Sequence, residues 1–222
     1  NINSRARRSV QTLTVGATGD FRDSGLGGGV NTYDANLVAG RVTYQEGGSS
    51  SLDDDATFTK LGVTLTRLQD LVTGRALVYL SLRGQFAANN LNTTEQFRLG
   101  GTDGVRAFAA GEGTGDLGVV STIELRLLPP EDWFGRLARE FVTSVFVDAG
   151  YVKYRYRPQP LKQATTLKNT GAFSGAGVGL TWVHGNDYSL RMSVAKPISG
   201  TPRSGEEARK LRVVMQAAVL FN

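Results

Sequence analysis

The segment VTSVFVDAGYV, residues 142–152, sets Val145, Val147, Ala149 and Tyr151 on one side of an extended chain and Ser144, Phe146, Asp148 and Gly150 on the other. Successive side chains of a strand point to opposite faces, so this stretch predicts a strand with one apolar and one mixed face. The same two-residue period recurs in both directions. LGVVSTIELRLL (117–128) opposes Ile123, Leu125 and Leu127 to Thr122, Glu124 and Arg126. GAFSGAGVGLTWV (171–183) opposes Ala176, Val178, Leu180 and Trp182 to glycines and Thr181. YSLRMSVAK (188–196) and LRVVMQAAVLF (211–221) carry the pattern toward the C-terminus. ALVYLSLRGQFAA (76–88), FTKLGVTLTRLQ (58–69), residues 30–45 and SVQTLTVGATGDFR (9–22) carry it toward the N-terminus. The periodicity predicts about nine strands.

The connections alternate between short and long. HGND (184–187) and GLGGG (25–29) are tight, whereas the segments around 97–116, 157–170 and 197–210 are long, polar or Gly-rich. Short turns at one end and long loops at the other characterise transmembrane barrels. A soluble sandwich also alternates, but its outer face should be charged; here the polar faces carry Gly, Ser and Thr with scattered Arg, as a water-filled lumen would. The expectation is an all-β, antiparallel transmembrane β-barrel. Composition agrees, with 28 Gly and 6 Pro among 222 residues, no Cys, and mean hydropathy −0.19. No apolar run of about 18 residues supports a membrane-spanning helix, but a spanning strand needs only ~9–11 residues. Bacterial barrels have even strand numbers and no open edge, and no signal peptide opens the chain. The expectation is therefore a C-terminal part of a longer barrel, residues 1–222 forming one barrel domain with a lid loop at about 97–116.

Enzyme chemistry finds no foothold. The single His184 sits in a tight turn, and no Cys is present for a thiolate nucleophile or metal site. GEGTGD (111–116) lacks the Gly-Lys-Ser/Thr ending and helix of a phosphate loop. Asp53, Asp54 and Asp55 are not followed by a calcium loop with its closing Glu, and read as solvated. KYRYR (153–157) is assigned to an interfacial tyrosine girdle ahead of nucleic-acid binding. Arg5, Arg7 and Arg8 are too short a cluster for a nucleic-acid tail, although the net charge is +5. No metal, cofactor, small-molecule substrate or nucleic acid is expected.

A charge constellation remains. A carboxylate in the middle of an apolar strand needs a partner, because desolvating Asp148 alone is costly. Glu124 faces the same side of its strand, and Arg106 lies in the Gly-rich loop GGTDGVRAF (100–108). If that loop folds inward, the guanidinium meets Asp148 in a two-pronged contact that Lys cannot reproduce. At ~4 Å and an effective dielectric of ~20 the attraction is ~4 kcal/mol, but wet pairs net ~0–1 kcal/mol. The expectation is a breakable latch.

In order along the chain, TRLQDL (66–71), GQFAANNLNTTEQFRLGGTDGVRAF (84–108), GEGTGDLGVVSTIELR (111–126), FVDAG (146–150), GAGVGLTW (175–182) and SVAKPI (193–198) resemble the two-partner secretion transporters. This is the TpsB, or hemolysin-activator, family within the BamA-like outer-membrane superfamily. The resemblance implies a sixteen-stranded barrel of a Gram-negative outer membrane, with N-terminal strands and periplasmic POTRA domains lying upstream. It implies that the lid Arg, matched by Arg106, docks against the strand carboxylate, matched by Asp148, with Phe108 packing beside it and Gly100, Gly101 and Gly104 shaping the loop. It also implies a secreted TpsA-type exoprotein, of hemolysin or adhesin kind, passed outward without ATP. Arg83, Arg126, Arg191 and Arg212 are expected to line the lumen. Phe221 is expected to serve as the C-terminal signal for the barrel assembly machinery, and the apolar stripes are expected to meet outer-membrane lipid. Where the family often has Val-Arg-Gly-Tyr, this chain has Val105, Arg106, Ala107 and Phe108. An assembly factor of the same superfamily and a simple solute porin are the competing functions.

Overall fold

A computed structural model describes residues 8–44, 56–158, 168–185, 187–203 and 211–219. Arg5, Arg7, the acidic run Asp53–Asp55 and Phe221 lie outside the described residues. The long strands are β1 (Arg8–Asp23), β2 (Gly29–Tyr44), β3 (Thr57–Val72), β4 (Ala76–Ala87), β7 (Leu117–Leu127), β8 (Phe141–Lys153), β9 (Thr170–His184), β10 (Tyr188–Ser199) and β11 (Arg212–Val219). Two-residue strands β5 (Phe97–Arg98) and β6 (Thr114–Gly115) pair inside the loop between β4 and β7. The nine long strands form one antiparallel sheet in the order β1-β2-β3-β4-β7-β8-β9-β10-β11, so every neighbour in the sheet is also the neighbour in sequence. No helix among the described residues is long and apolar enough to cross a membrane.

Register carries the alternation from strand to strand. Asp148 faces Thr122 on one side and Gly175 on the other, while Val147 faces Ile123 and Ala176. One face of the sheet therefore collects the apolar set. Leu13, Val15, Leu37, Leu65, Leu82, Ile123, Val147, Val178, Val213 and Met215 are all exposed on it. A soluble protein would bury such a belt, because a continuous apolar face of this size in water is an association site.

The opposite face is curved around an interior. Tyr79 on β4 and Gln216 on β11 line one cavity, although β4 and β11 are five strands apart in the sheet. In a flat sheet that separation is ~24 Å at ~4.8 Å per strand. The short connections after β1, β3 and β9 lie at one end. The connector at that end, residues 128–140, holds a short α-helix, α1 (Glu131–Phe134), and a 3-10 turn (Gly135–Arg139) absent from the sequence expectation. The longer connections lie at the other end.

The lid departs from its expected boundary. The chain leaves β4 after Ala87 and re-enters the sheet at Leu117, so the excursion covers 88–116 and starts well before 97. The tyrosine girdle assigned to KYRYR is also corrected. Tyr154 is buried in the inward cluster with Phe97, Phe108 and Phe173, and Tyr156 is tied to the lid through its backbone.

Candidate functional site

The lid folds back over the mixed face. Its tip is a knot of backbone bonds in which Val105 donates to the Leu99 carbonyl at 2.8 Å, Phe108 to Val105 at 3.0 Å and Gly101 to Phe108 at 3.2 Å. This path demands the glycines. Gly101 has φ 115°, a region that side chains rarely adopt. A Cβ on Gly104 would meet the Leu99 carbonyl at 2.0 Å, and one on Gly100 the Ala109 carbonyl at 2.4 Å.

Knobs on the lid enter seats on the strands. Phe97, Leu99 and Ala107 press on Gly118 of β7, Gly150 of β8 and Gly175 of β9, where an added Cβ would lie 2.3, 2.4 and 2.5 Å from them. Phe108 stacks on Phe173 with ring centroids 4.3 Å apart. The small side chain of Ala107 thus has its space from Gly175, and Phe108, lacking a hydroxyl, acts by packing. The three seats were missed in the sequence, where glycines on this face read only as small lumen residues.

Arg106 is the centre of the site. Its Nε and Nη2 donate to Asp148 Oδ2 and Oδ1, each at 2.9 Å, and its backbone N–H donates to Oδ2 at 3.0 Å. Its Nη1 donates to Glu124 Oε2 at 2.8 Å. The guanidinium lies over the Phe146 ring, 3.2 Å from its centroid. Thr122 donates to Asp148 Oδ1 at 2.9 Å, and Arg126 donates to Glu124 Oε1 at 2.9 Å. Two guanidiniums therefore balance two carboxylates, and every described oxygen of Asp148 has a donor.

Burial changes the valuation of this pair. Asp148 has 0% side-chain exposure and Arg106 16%, so the wet-pair figure of the sequence argument does not apply. Removing one partner of a buried pair typically costs ~3–5 kcal/mol, because the other charge is stranded.

A second fastening holds the base of the lid at the long-loop end. Asp116, fully buried, accepts from the backbone of Leu91 at 3.1 Å, from Gln96 Nε2 at 2.8 Å and from the backbone of Tyr156 at 2.8 Å. Burial pushes its carboxyl above the usual range, against the lowering effect of those three donors. Asn90 and Arg157 exchange bonds of 2.8 and 2.9 Å. Arg203, from the connection after β10, donates its N–H to Glu112 at 3.2 Å and stacks on Tyr154. Lid, β8–β9 connection and β10–β11 connection are thereby joined.

The predicted arginines divide. Arg83 faces inward but holds the lid, donating to the carbonyls of Asp103 at 2.7 Å and Arg98 at 3.2 Å and lying over Phe97; it is not a free wall charge. Arg126 lies over Tyr79, and with Arg191 it lines the cavity below the latch. Arg212 shares the inward face, opposite Ala195. His184 ends β9, 3.0 Å from Glu140, whose carboxyl is held below its usual range first by the Trp182 indole N–H and then by His184. It is a paired strand-end residue, not merely a solvated turn.

Three comparisons place this geometry among known proteins. The Omp85 superfamily domain matches residues 4–214. The heme/hemopexin transporter protein HuxB of Haemophilus influenzae strain 86-028NP is 28% identical over 200 residues, covering 89% of this chain and 34% of HuxB. A second Haemophilus influenzae HuxB is 26% identical over 206 residues, covering 91% of this chain and 35% of that protein. The chain therefore spans about a third of the length of these curated relatives. Among solved structures, CdiB from Escherichia coli superposes with TM-score 0.66 at 21% identity over 98% of this chain and 38% of that one. CdiB from Acinetobacter baumannii gives 0.51 at 16% identity over 95% and 42%. These two likenesses speak to the fold.

Proposed function

We propose, for a chain that belongs to the Omp85 superfamily and within it to the two-partner secretion transporters, that it supplies wall and lid of an outer-membrane pore through which an exoprotein leaves the cell. Proteins of this superfamily reside in the outer membrane of Gram-negative bacteria, and this chain is assigned there too. Its exposed apolar face meets lipid, the short turns face the periplasm and the long connections face outward. The client is a secreted protein of hemolysin or adhesin kind.

The observation that carries this reading is the docked lid, with Arg106 spending its donors on Asp148 and Glu124 directly above a polar cavity. An extended client entering from the periplasm meets the lower wall first, where Arg126 and Arg191 stand among Ser81, Ser144 and Gln216. Carboxylates and backbone carbonyls of the client compete there for guanidinium donors. Displacement of the lid hydrates Asp148 and opens the path, so the latch is a threshold set by client binding and needs no nucleotide. Folding of the client outside then opposes its return.

Replacing Arg106 with Ala in the full-length protein tests this reading. Secretion of the partner and single-channel conductance in planar bilayers are the measurements. More frequent or larger open events, together with altered secretion, are expected. Unchanged traces and unchanged secretion would remove the latch from the mechanism.

A further inference from the structure

The connector between β7 and β8 displays its largest side chains, leaving Trp133 mostly and Phe134 and Leu137 half exposed among the described residues. Trp133 is 81% exposed, and Phe134 and Leu137 stand out beside it. This is not a loose loop. Trp133 and Phe134 both donate to the Pro130 carbonyl, Leu128 donates to Arg75 at 2.9 Å, and Arg139 pairs with Glu131. Glu140 fixes the far end, donating its N–H to Leu137 and accepting from the backbone of Val183 and the Trp182 indole. A rigid frame thus holds bare aromatic rings over a groove lined by Val72, Ala76, Leu127, Pro130, Trp133 and Phe134.

The groove continues the lipid-facing belt. Leu127 is the last residue of the outward row that includes Ile123 and Leu125. At the other edge of that row, exposed Tyr151 stands level with Val119. From Val119 to Leu127 the chain advances ~27 Å at ~3.4 Å per residue, or ~20 Å of height once the strand tilts by ~40°. The apolar band of an outer-membrane barrel is ~25 Å tall, flanked by aromatic residues at both edges. Tyr151 marks one edge, and the connector hangs at the other, with an indole whose N–H suits the carbonyl level and whose rings suit acyl chains.

We propose that the connector is a lipid-binding foot: Trp133 and Phe134 insert at the chain–headgroup boundary of the periplasmic leaflet, and the groove beside them takes phospholipid acyl chains. The proposal rests on the reading of the sheet as a membrane wall. A foot of this kind fixes the depth of β7 and β8, the two strands that carry Glu124 and Asp148, so that the latch stays at a constant height in the pore.

The test is tryptophan fluorescence of the full-length protein in phosphatidylcholine vesicles brominated at shallow or deep acyl positions. The Trp133 signal is the difference between the parent and Trp133→Phe; Val147→Trp, with Ile123→Trp as a second choice, reports the middle of the belt. Trp133 is expected to lose more fluorescence to shallow than to deep bromines, and the mid-belt reporter the reverse. If the mid-belt reporter is quenched by lipid while Trp133 responds only to aqueous acrylamide, the wall stands and the foot is overturned. If Trp133 is shielded from both quenchers, another protein segment covers it and the foot is equally overturned. Lipid quenching at neither position overturns the membrane wall and the foot together.

Discussion

The inward face of one sheet behaves as two different surfaces. Toward the long connections, Val120, Phe146, Val152 and Phe173 are all buried beneath the lid. Toward the short turns, the same strands and β10 present Arg126, Ser144, Thr181 and Arg191 to an open cavity. Alternation, register and strand composition do not separate these halves; the lid does. The upper half is a socket, shaped by glycine seats and aromatic rings to hold one chain segment. The lower half is a polar wall facing an open cavity, with Arg126 held by Glu124 and Arg191 exposed. The Arg106 network sits on the border, with the packed lid above it and the polar cavity below.

Asp148→Ala attacks that border and should give the largest effect. Arg106 and Thr122 lose their shared acceptor, Arg106 keeps only Glu124, and removing one partner of a largely buried ion pair costs ~3–5 kcal/mol. Each 1.4 kcal/mol is about tenfold, so the docked-to-undocked ratio should fall by about a hundredfold or more. The chain has no Cys, which makes Ala107→Cys a suitable reporter, since residue 107 is buried in the docked lid. Thiol labelling should accelerate by that factor in the Asp148→Ala background. Unchanged labelling would show that packing alone retains the lid.

Phe173→Ala comes next and probes the socket without touching charge. It deletes the ring under Phe108 and leaves a cavity, at ~3–5 kcal/mol for a fully collapsed-proof site and less where the lid settles inward. The same labelling assay should show faster exposure of residue 107, with ion selectivity unchanged because no lumen charge is altered. A selectivity change with no change in labelling would reverse the assignment of the two halves. Asp116→Asn acts more locally. One of its oxygens becomes an N–H donor facing other donors, a loss of ~1–3 kcal/mol. Hydrogen exchange should rise at Leu91 and Tyr156, whose N–H groups it accepts, before it rises at Val105.

Much of this division was legible in the sequence, and the failures have physical causes. The strands were readable because each has one face in an apolar environment and one in a mixed one, which leaves a strict two-residue period. The Arg106–Asp148 contact was readable because a mid-strand carboxylate cannot stand alone. Its strength was not, since burial depends on how tightly Phe146 and the lid close around it. Gly118, Gly150 and Gly175 hid their role because a seat is defined by the knob it receives, and the knobs arrive along a non-local path. Asp116 hid for the same reason, its donors coming from residues 91, 96 and 156. Tyr154 is different. It shares parity with Phe146, Asp148 and Val152, so the alternation already placed it inward, and the girdle assignment ignored that signal. The connector PPEDWF carried a helix-start signal of Pro followed by acidic residues, but four helical residues are too few for periodicity to register.

Arg191→Gln should give the smallest structural effect and sharpens the contrast most. Arg191 is exposed on the lower wall, and substitutions at such positions usually stay within ~0.5 kcal/mol in stability. Labelling at residue 107 should therefore be unchanged. The charge is nevertheless seen by every ion that passes, because a positive residue on a narrow wall raises the local anion concentration. The reversal potential in a salt gradient should move toward cation preference in Arg191→Gln, in a lid-open background such as Asp148→Ala where current is measurable. A wall residue thus separates permeation from docking, whereas a socket residue changes docking first. If Arg191→Gln instead loosens the lid as strongly as Asp148→Ala, then the lower wall is part of the socket and the boundary drawn at Arg106 is misplaced.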